Sequence, residues 1–333
     1  MTRWKRATMT MLSIVGIVVC GGSSRGDTPT TVAFHDGSVV RFASLDEGRE
    51  LIGAADDWVR SFGPLDYQIR LDSKEPVTEA EFLDYARAQV LEWDDAEIAT
   101  MTEVIARMQA MLAALDLHVD LPDEILLVQT TGHEEGNVGC YTRGNFIVIR
   151  EARMSSALDQ IEATMLHELF HVMTRHNPDV RKPLYEIIGF THGEAFEYPS
   201  ELKPLKITNP DAYHFDSYVE LAAGEDTVMV TPLTLSKSET YVGGGIMGNV
   251  VVKFLRLEVK ERALTPVRVD GELVLYGMNE VQGYAEKIGK NTFYIIHPEE
   301  IMADNFSLAV RQVKTVANPE ILDGIVAVLS GKE

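Results

Sequence analysis

The chain has 333 residues, 51 of them acidic against 30 basic, for a formal charge of -21 and an isoelectric point near 4.8. Phosphate backbones are held by basic faces, so this balance argues against nucleic acid as a partner. With 45% hydrophobic and 24% charged residues, the composition excludes a disordered chain. It fits one large globular domain or two small ones with an acidic, solvated surface.

Arg3, Lys5 and Arg6 precede a mostly apolar run from Ala7 to Val19. A membrane-spanning helix needs roughly 18 or more apolar residues, so residues 1–26 read as an export signal and not as an anchor. No later stretch reads as long enough to span a bilayer. Cys20 follows in IVVCGGSS, which resembles the lipobox of bacterial lipoproteins, with Val19 where a small residue is usual. A lipid anchor at Cys20 and ordinary secretion both remain open, and either puts the folded part outside the cytoplasm. Cys140 is then the one remaining cysteine, so no intrachain disulfide is expected. It reads as a buried small residue rather than a reactive thiol.

Residues 28–73 mix short strand-like runs, TTVAF and SVVRF, with a helix expected from Leu45 to Val59. Thr78 is placed to cap a helix over EAEFLDYARAQVLEW, and Asp94-Asp95 opens AEIATMTEVIARMQAMLAALDL. In the latter, Ile98, Met101, Ile105, Met108 and Leu112 recur at three- and four-residue steps, one apolar face. Two strands follow, EILLVQTT (124–131) and NFIVIRE (145–151). Ser155-Ser156 are placed to cap a helix over 157–175 that is apolar nearly all round and therefore buried, and Asn177-Pro178 ends it. After a short helix at 179–188 the pattern turns to β, over about 205–276, with Gly243-Gly244-Gly245 as a break. Gly243–Gly248 lacks the Lys-Ser/Thr of a phosphate loop. Pro298 opens a helix over PEEIMADNFSLAVRQV, and Pro319 opens a last one.

The buried helix carries His167-Glu168-Leu169-Phe170-His171. Residues four apart lie one turn apart on one face, so both imidazoles can aim at one ion while Glu168 reaches a water beside it. This pattern arises by chance in roughly two of a hundred shuffled chains of this composition. Two histidines and a glutamate buried in an apolar helix are costly unless something satisfies them, and a metal does so directly.

HELFH on a buried helix behind NFIVIRE, read as an edge-like strand, resembles the zincin superfamily of metallopeptidases. The resemblance covers about 124–176 and the helix opened by Pro298. With the signal at 1–26 and the mainly helical region at 27–120 already read from the residues, it implies an α+β fold with a zincin-like catalytic domain at 121–333. The β-rich stretch, matched to no characterised member, is inserted into that domain. It also implies Zn2+ held by three protein ligands with one open position, and a peptide or protein substrate that adds as a strand to the sheet edge. Metzincins place a third histidine six residues after the second. Asn177 stands there, and His176 falls one short, so His176 reads as a surface residue.

Gluzincins use a glutamate of an ExxxD motif on a later helix, matched here by Glu300-Ile301-Met302-Ala303-Asp304. Roughly two such matches are expected by chance in this composition. However, EEIMADNF also resembles the E-x-x-A-D-x-F form of several gluzincin families. There the aspartate orients a ligand histidine, which implies His167, His171 and Glu300 as ligands and Asp304 as their support. Glu186, and the loop acids Glu194, Glu197 and Glu201, remain alternatives for the third ligand. The span from His171 to Glu300 is long for a gluzincin.

The resemblance further implies peptide-bond hydrolysis, with Glu168 as general base on a water at the metal. Relatives use a tyrosine or histidine to hold the oxyanion; Tyr213, His214, Tyr218 and His297 are the candidates, each also readable as structural. Two other readings stand beside this one: a non-catalytic extracytoplasmic scaffold whose zinc holds the fold, and a protein without metal. Residues 27–75 read either as part of the fold or as a propeptide.

Overall fold

The computed structural model describes residues 30–331, so the export signal expected at 1–26, with Cys20, lies outside them. The fold is mixed α+β. Its first sheet comprises β1 (Thr31–Ala33), β2 (Val39–Phe42), β3 (Val90–Leu91), β4 (Glu124–Thr130), β5 (Tyr141–Arg143) and β6 (Phe146–Arg150). The order is β1-β2-β4-β6-β5, with β3 beside the end of β4. The inner pairs β2–β4 and β4–β6 run parallel, whereas β5 is antiparallel to β6. The strand NFIVIRE, expected at the edge, is therefore internal. The edge belongs to β5, three residues too short to carry a pattern of their own.

Alternation along the inner strands divides the core. Ile125, Leu127, Ile147 and Ile149 face one way, and Leu126, Val128, Phe146 and Val148 the other. Parallel strands covered on both faces read as continuous apolar runs, which is why these two were legible.

Of α1 (Leu45–Ile52), α2 (Asp57–Arg60), α3 (Pro64–Arg70) and α4 (Glu79–Ala88), the first, second and fourth pack Ile52, Trp58 and Phe82 onto the second face. The helix expected over 45–59 thus breaks after Ile52, and Asp56 caps a new turn by accepting from the Val59 amide at 3.1 Å. The helix opened by Thr78 stops at Ala88, because Val90 and Leu91 pair with Thr130 and Gln129 instead.

On the first face lie α5 (Asp95–Leu115) and, past α6 (Glu151–Met154), α7 (Leu158–His176). By length and composition α5 is apolar enough to cross a membrane, contrary to the expectation above. One face, with Met101, Val104, Ile105, Met108 and Leu112, is buried in the core of this fold. α7 starts one residue later than expected, with Ala157 at its cap and no side-chain cap bond; Ser155 ends α6 instead.

After α8 (Arg181–Ile187) come β7 (Phe190–His192), β8 (Ser217–Ala223), β9 (Asp226–Ser236), α9 (Gly245–Asn249), β10 (Val250–Lys260) and β11 (Ala263–Pro266). The strands form an antiparallel sheet in the order β11-β10-β9-β8-β7. A ribbon of β12 (Arg268–Val269) with β13 (Glu272–Leu273) leads to β14 (Leu275–Gly277), which pairs with β10. The β-rich part thus begins near 190, ahead of the expected 205. Val219, Leu221, Val228, Val230 and Phe254 join the main core, while Leu233, Leu235, Leu255 and Leu257 form a smaller cluster. Then come α10 (Tyr284–Ile288), α11 (Pro298–Val310) and α12 (Pro319–Ser330). The regions read as 27–120 and 121–333 share one sheet and one core: β2 pairs with β4, and α5 packs on α7.

Candidate metal centre

Two helices make the site. α7 has no side-chain cap, but Asp159 in its first turn and Arg175 and His176 in its last complement its dipole. α11 begins with Pro298 at its first position, and His297 caps it by accepting from the Glu299 amide through Nδ1 at 3.1 Å. Glu299 and Glu300 then fall in the first turn, where the dipole favours negative charge. Phe170 and Phe306 meet between the helices with ring centroids 5.6 Å apart.

Across this contact His167 Nε2 lies 3.1 Å from Glu300 Oε2, and His171 Nε2 lies 3.5 Å from the same oxygen. Ligand atoms of all three residues lie within 4.8 Å of one another. Two ligands bound at 2.0–2.1 Å to a tetrahedral ion stand roughly 3.3 Å apart, so the observed spacings bracket that value. The other ring nitrogens are taken. His167 Nδ1 bonds Asp304 Oδ1 at 2.8 Å, and His171 Nδ1 bonds Glu299 Oε1 at 2.9 Å. His171 Nε2 is buried without a hydrogen-bond partner, a state that costs roughly 1–3 kcal/mol if nothing meets it. The donor set of two imidazoles and one carboxylate suits zinc.

The charges point the same way. Burial opposes the charge on His171, but Asp211, Glu299 and Glu300 outweigh it and lift the imidazole to about 10. Burial likewise opposes His167, and Asp304 and Glu300 push it well above the usual range. Against its own burial, Glu300 is held well below the carboxylate range by the two histidines. The site therefore attracts positive charge, whether as protons or as a metal ion.

Glu168 is buried on the same helix, and its Oε2 accepts from the Thr142 hydroxyl of β5 at 2.8 Å. Burial and the charge of Asp211 raise it to about 7, against the pull of His167 and His171. A group poised there can both take and return a proton near neutral pH.

No family model matches the chain. Nor does any curated protein or solved structure.

The structure brings His167, Glu168, His171, Glu300 and Asp304 together. Glu186, Glu194, Glu197 and Glu201 are exposed, and Glu201 pairs with Arg268. His176 lies within 3.6 Å of Asp120 at the surface. Of the suggested oxyanion donors, Tyr218 packs in the second sheet's small cluster and His297 caps α11, while Tyr213 and His214 line a neighbouring cleft. The sequence reading missed Tyr294, whose ring stacks on His167 at 6.4 Å with 14° between the planes. Tyr294 is exposed at the surface, but desolvation around its phenol, then Glu300, Asp211 and Glu168, push the hydroxyl above the usual range, so it keeps its proton. Also missed were Glu299, Thr142 and Asp211, none of which stands in a recognisable motif. Cys140 is half-buried, and burial together with Glu168 lifts its thiol to about 11, consistent with an unreactive side chain.

Proposed function

We propose that this protein is a zinc metallopeptidase of gluzincin type, acting outside the cytoplasm on peptides or proteins. The observation that carries the reading is the convergence of two imidazole Nε2 atoms on one Glu300 oxygen while each Nδ1 is tied to a separate carboxylate. That arrangement fixes both tautomers for ligation and raises ligand basicity. His167, His171 and Glu300 would hold the ion, with Asp304 and Glu299 behind them. Zinc, when bound, supplies an acidified water and polarises a scissile carbonyl.

The remaining chemistry belongs to the chain. Glu168 accepts the water's proton and returns it to the leaving amine, its carboxylate steadied by Thr142. β5 is the sheet's edge strand and runs over α7, so an extended peptide can align along it by backbone hydrogen bonds. Tyr294 supplies a protonated hydroxyl at the mouth for the developing oxyanion.

The test combines metal analysis with cleavage of an unfolded protein substrate. One zinc per chain is expected in the wild type and in Glu168→Gln, with cleavage in the variant reduced by roughly 10²–10⁴-fold. His171→Ala should lose the zinc. A purified protein that takes up no zinc, or a Glu168→Gln variant as active as wild type, refutes the reading.

A second reading, a zinc-holding scaffold without activity, is favoured by Asp211. Its carboxylate lies within 4.8 Å of ligand atoms of His171 and Glu168, where it could close the coordination sphere. Structural zinc sites are closed by four ligands. Retained zinc with no cleavage by wild type would select this alternative.

A further inference from the structure

Antiparallel pairing to β6 uses one side of β5, and the backbone of Thr142 points to the other, the side a peptide would approach. That amide is already taken: Thr142 N–H donates to Asp211 Oδ1 at 2.8 Å. One carboxylate oxygen thus sits where the carbonyl of an added strand would accept. The same short segment reaches the metal ligands, because Asn209 Nδ2 donates to Glu300 Oε1 and Asn209 Oδ1 accepts the Asp211 amide at 3.0 Å. Asn209 also donates to the Tyr294 hydroxyl at 3.2 Å. The Thr142 amide and the Tyr294 hydroxyl, both of which the proposed reaction needs free, and the Glu300 oxygen turned away from the imidazoles are thus engaged by two residues of one short segment, Asp211 and Asn209.

The two ends of the segment are held differently. Thr208 is anchored by buried charge: its amide and hydroxyl donate to Asp66 at 2.7 and 2.8 Å, and its carbonyl accepts from Arg70 at 2.7 Å. Arg70 is in turn paired with Asp66 and Glu135, with no side-chain exposure of its own. Beyond Pro210, whose carbonyl accepts from Arg175 at 2.9 Å, the chain borders a cleft of about 280 Å³ lined by Asp211, Ala212, Tyr213, His214 and Arg181. Asp211 Oδ1 also meets the Arg175 guanidinium at 3.3 Å, so this end hangs on one cation beside the cleft, whereas Thr208 is held within the buried ion pairs of Arg70 with Asp66 and Glu135.

We propose that Asn209-Pro210-Asp211 is an internal mimic of substrate backbone, a latch that keeps the site closed at rest and that an extended peptide must displace. This rests on the metallopeptidase reading, and it assigns Asp211 to the edge strand instead of to the metal.

The test uses the zinc-loaded full chain as wild type, Asp211→Ala and Asn209→Ala. Two quantities are measured: amide hydrogen exchange at Thr142, and affinity for a peptidyl hydroxamate that chelates zinc while extending along the edge. In Asp211→Ala we expect exchange at Thr142 to speed up at least tenfold and the hydroxamate to bind at least tenfold tighter, with zinc affinity within threefold of wild type. Exchange and binding both at wild-type levels overturn the latch, and so does a tenfold or greater loss of zinc affinity, which would make Asp211 a ligand. Should Asp211→Ala not fold, Asn209→Ala, which frees Glu300 and Tyr294 together, must show the tighter hydroxamate binding or the proposal fails. If the wild type binds no zinc, the metallopeptidase reading fails by itself, and unchanged exchange at Thr142 in Asp211→Ala still decides against the latch.

Discussion

Glu299 accepts from His171 Nδ1 at 2.9 Å while its immediate neighbour Glu300 faces the opposite nitrogen of the same ring. In the proposed metal site these two adjacent acids would divide the work of orienting and ligating. Carboxylates behind ligand histidines are commonly worth 10–100-fold in metal affinity. Glu299→Gln is therefore expected to weaken zinc binding by roughly that factor while leaving one zinc per chain at saturation. A competition titration against a chromophoric chelator measures it. Glu186→Ala, at an exposed position, should stay within about twofold. Equal effects from both variants would contradict the assignment of Glu299.

The same bonds predict a pH dependence. The His171 imidazole stands at about 10 when folded, above the 6.5 of a free side chain, so its stabilisation is complete below 6.5 and fades as pH rises through 10. Glu300 is displaced downward, and its contribution, present above about 4.5, is lost only well below that. Glu168, raised to about 7, acts in the opposite sense to Glu300: holding it ionised costs stability as pH climbs from 4.5 to 7. The chelator-treated protein should therefore melt highest in mildly acidic buffer and progressively lower towards pH 10. Zinc must displace the imidazole proton, so its affinity should rise about tenfold per pH unit for each proton released. Affinities equal at pH 6.5 and 8.5 would refute this.

Local patterns were legible and spatial order was not. HELFH and the helix opened by Pro298 are visible because ligand spacing, helical periodicity and a first-turn proline are properties of neighbouring residues. Which strand forms the edge depends on how strands assemble, and Tyr141-Thr142-Arg143 is too short to show it. Gly53 caps the helix after Ile52, a stop that the continuous helical reading over 45–59 passed over. Asp211 and Tyr294 sit on irregular segments, placed by the buried Asp66–Arg70 pair and by the docking of α11. Glu299 falls outside the ExxxD match that singles out Glu300, and its part showed only when the facing helix revealed which nitrogen each acid meets.

Tyr294 offers a test of oxyanion stabilisation separate from metal binding. Although the residue is exposed, its phenol is kept protonated by local desolvation and by the charges of Glu300, Asp211 and Glu168. It can therefore donate across the working pH range. Tyr294→Phe should lower kcat for peptide cleavage by roughly 10²–10³-fold, with KM and zinc affinity little changed. A rise in KM at constant kcat would instead make Tyr294 a binding residue, and no change in either would remove it from the reaction.

Phe306 packs on Phe170 with no measurable exposure, and this contact sets how α11 lies against α7. Truncating a buried phenylalanine costs roughly 3–5 kcal/mol, by lost transfer energy and by the cavity left behind. Leu257→Ala, in the separate cluster of the second sheet, should cost a comparable amount, roughly 2–5 kcal/mol. The two should diverge in zinc binding. α11 carries Glu299, Glu300 and Asp304, so relaxation into the Phe306 cavity would move the proposed ligand and both proposed supports together, whereas the Leu257 cavity lies in another cluster. Urea unfolding of the chelator-treated proteins gives the stability loss, and chelator competition on the folded proteins gives zinc affinity. We expect Phe306→Ala to lose at least tenfold in affinity and Leu257→Ala to lose less than threefold. Equal losses would mean that the site follows global stability and not the seating of this helix.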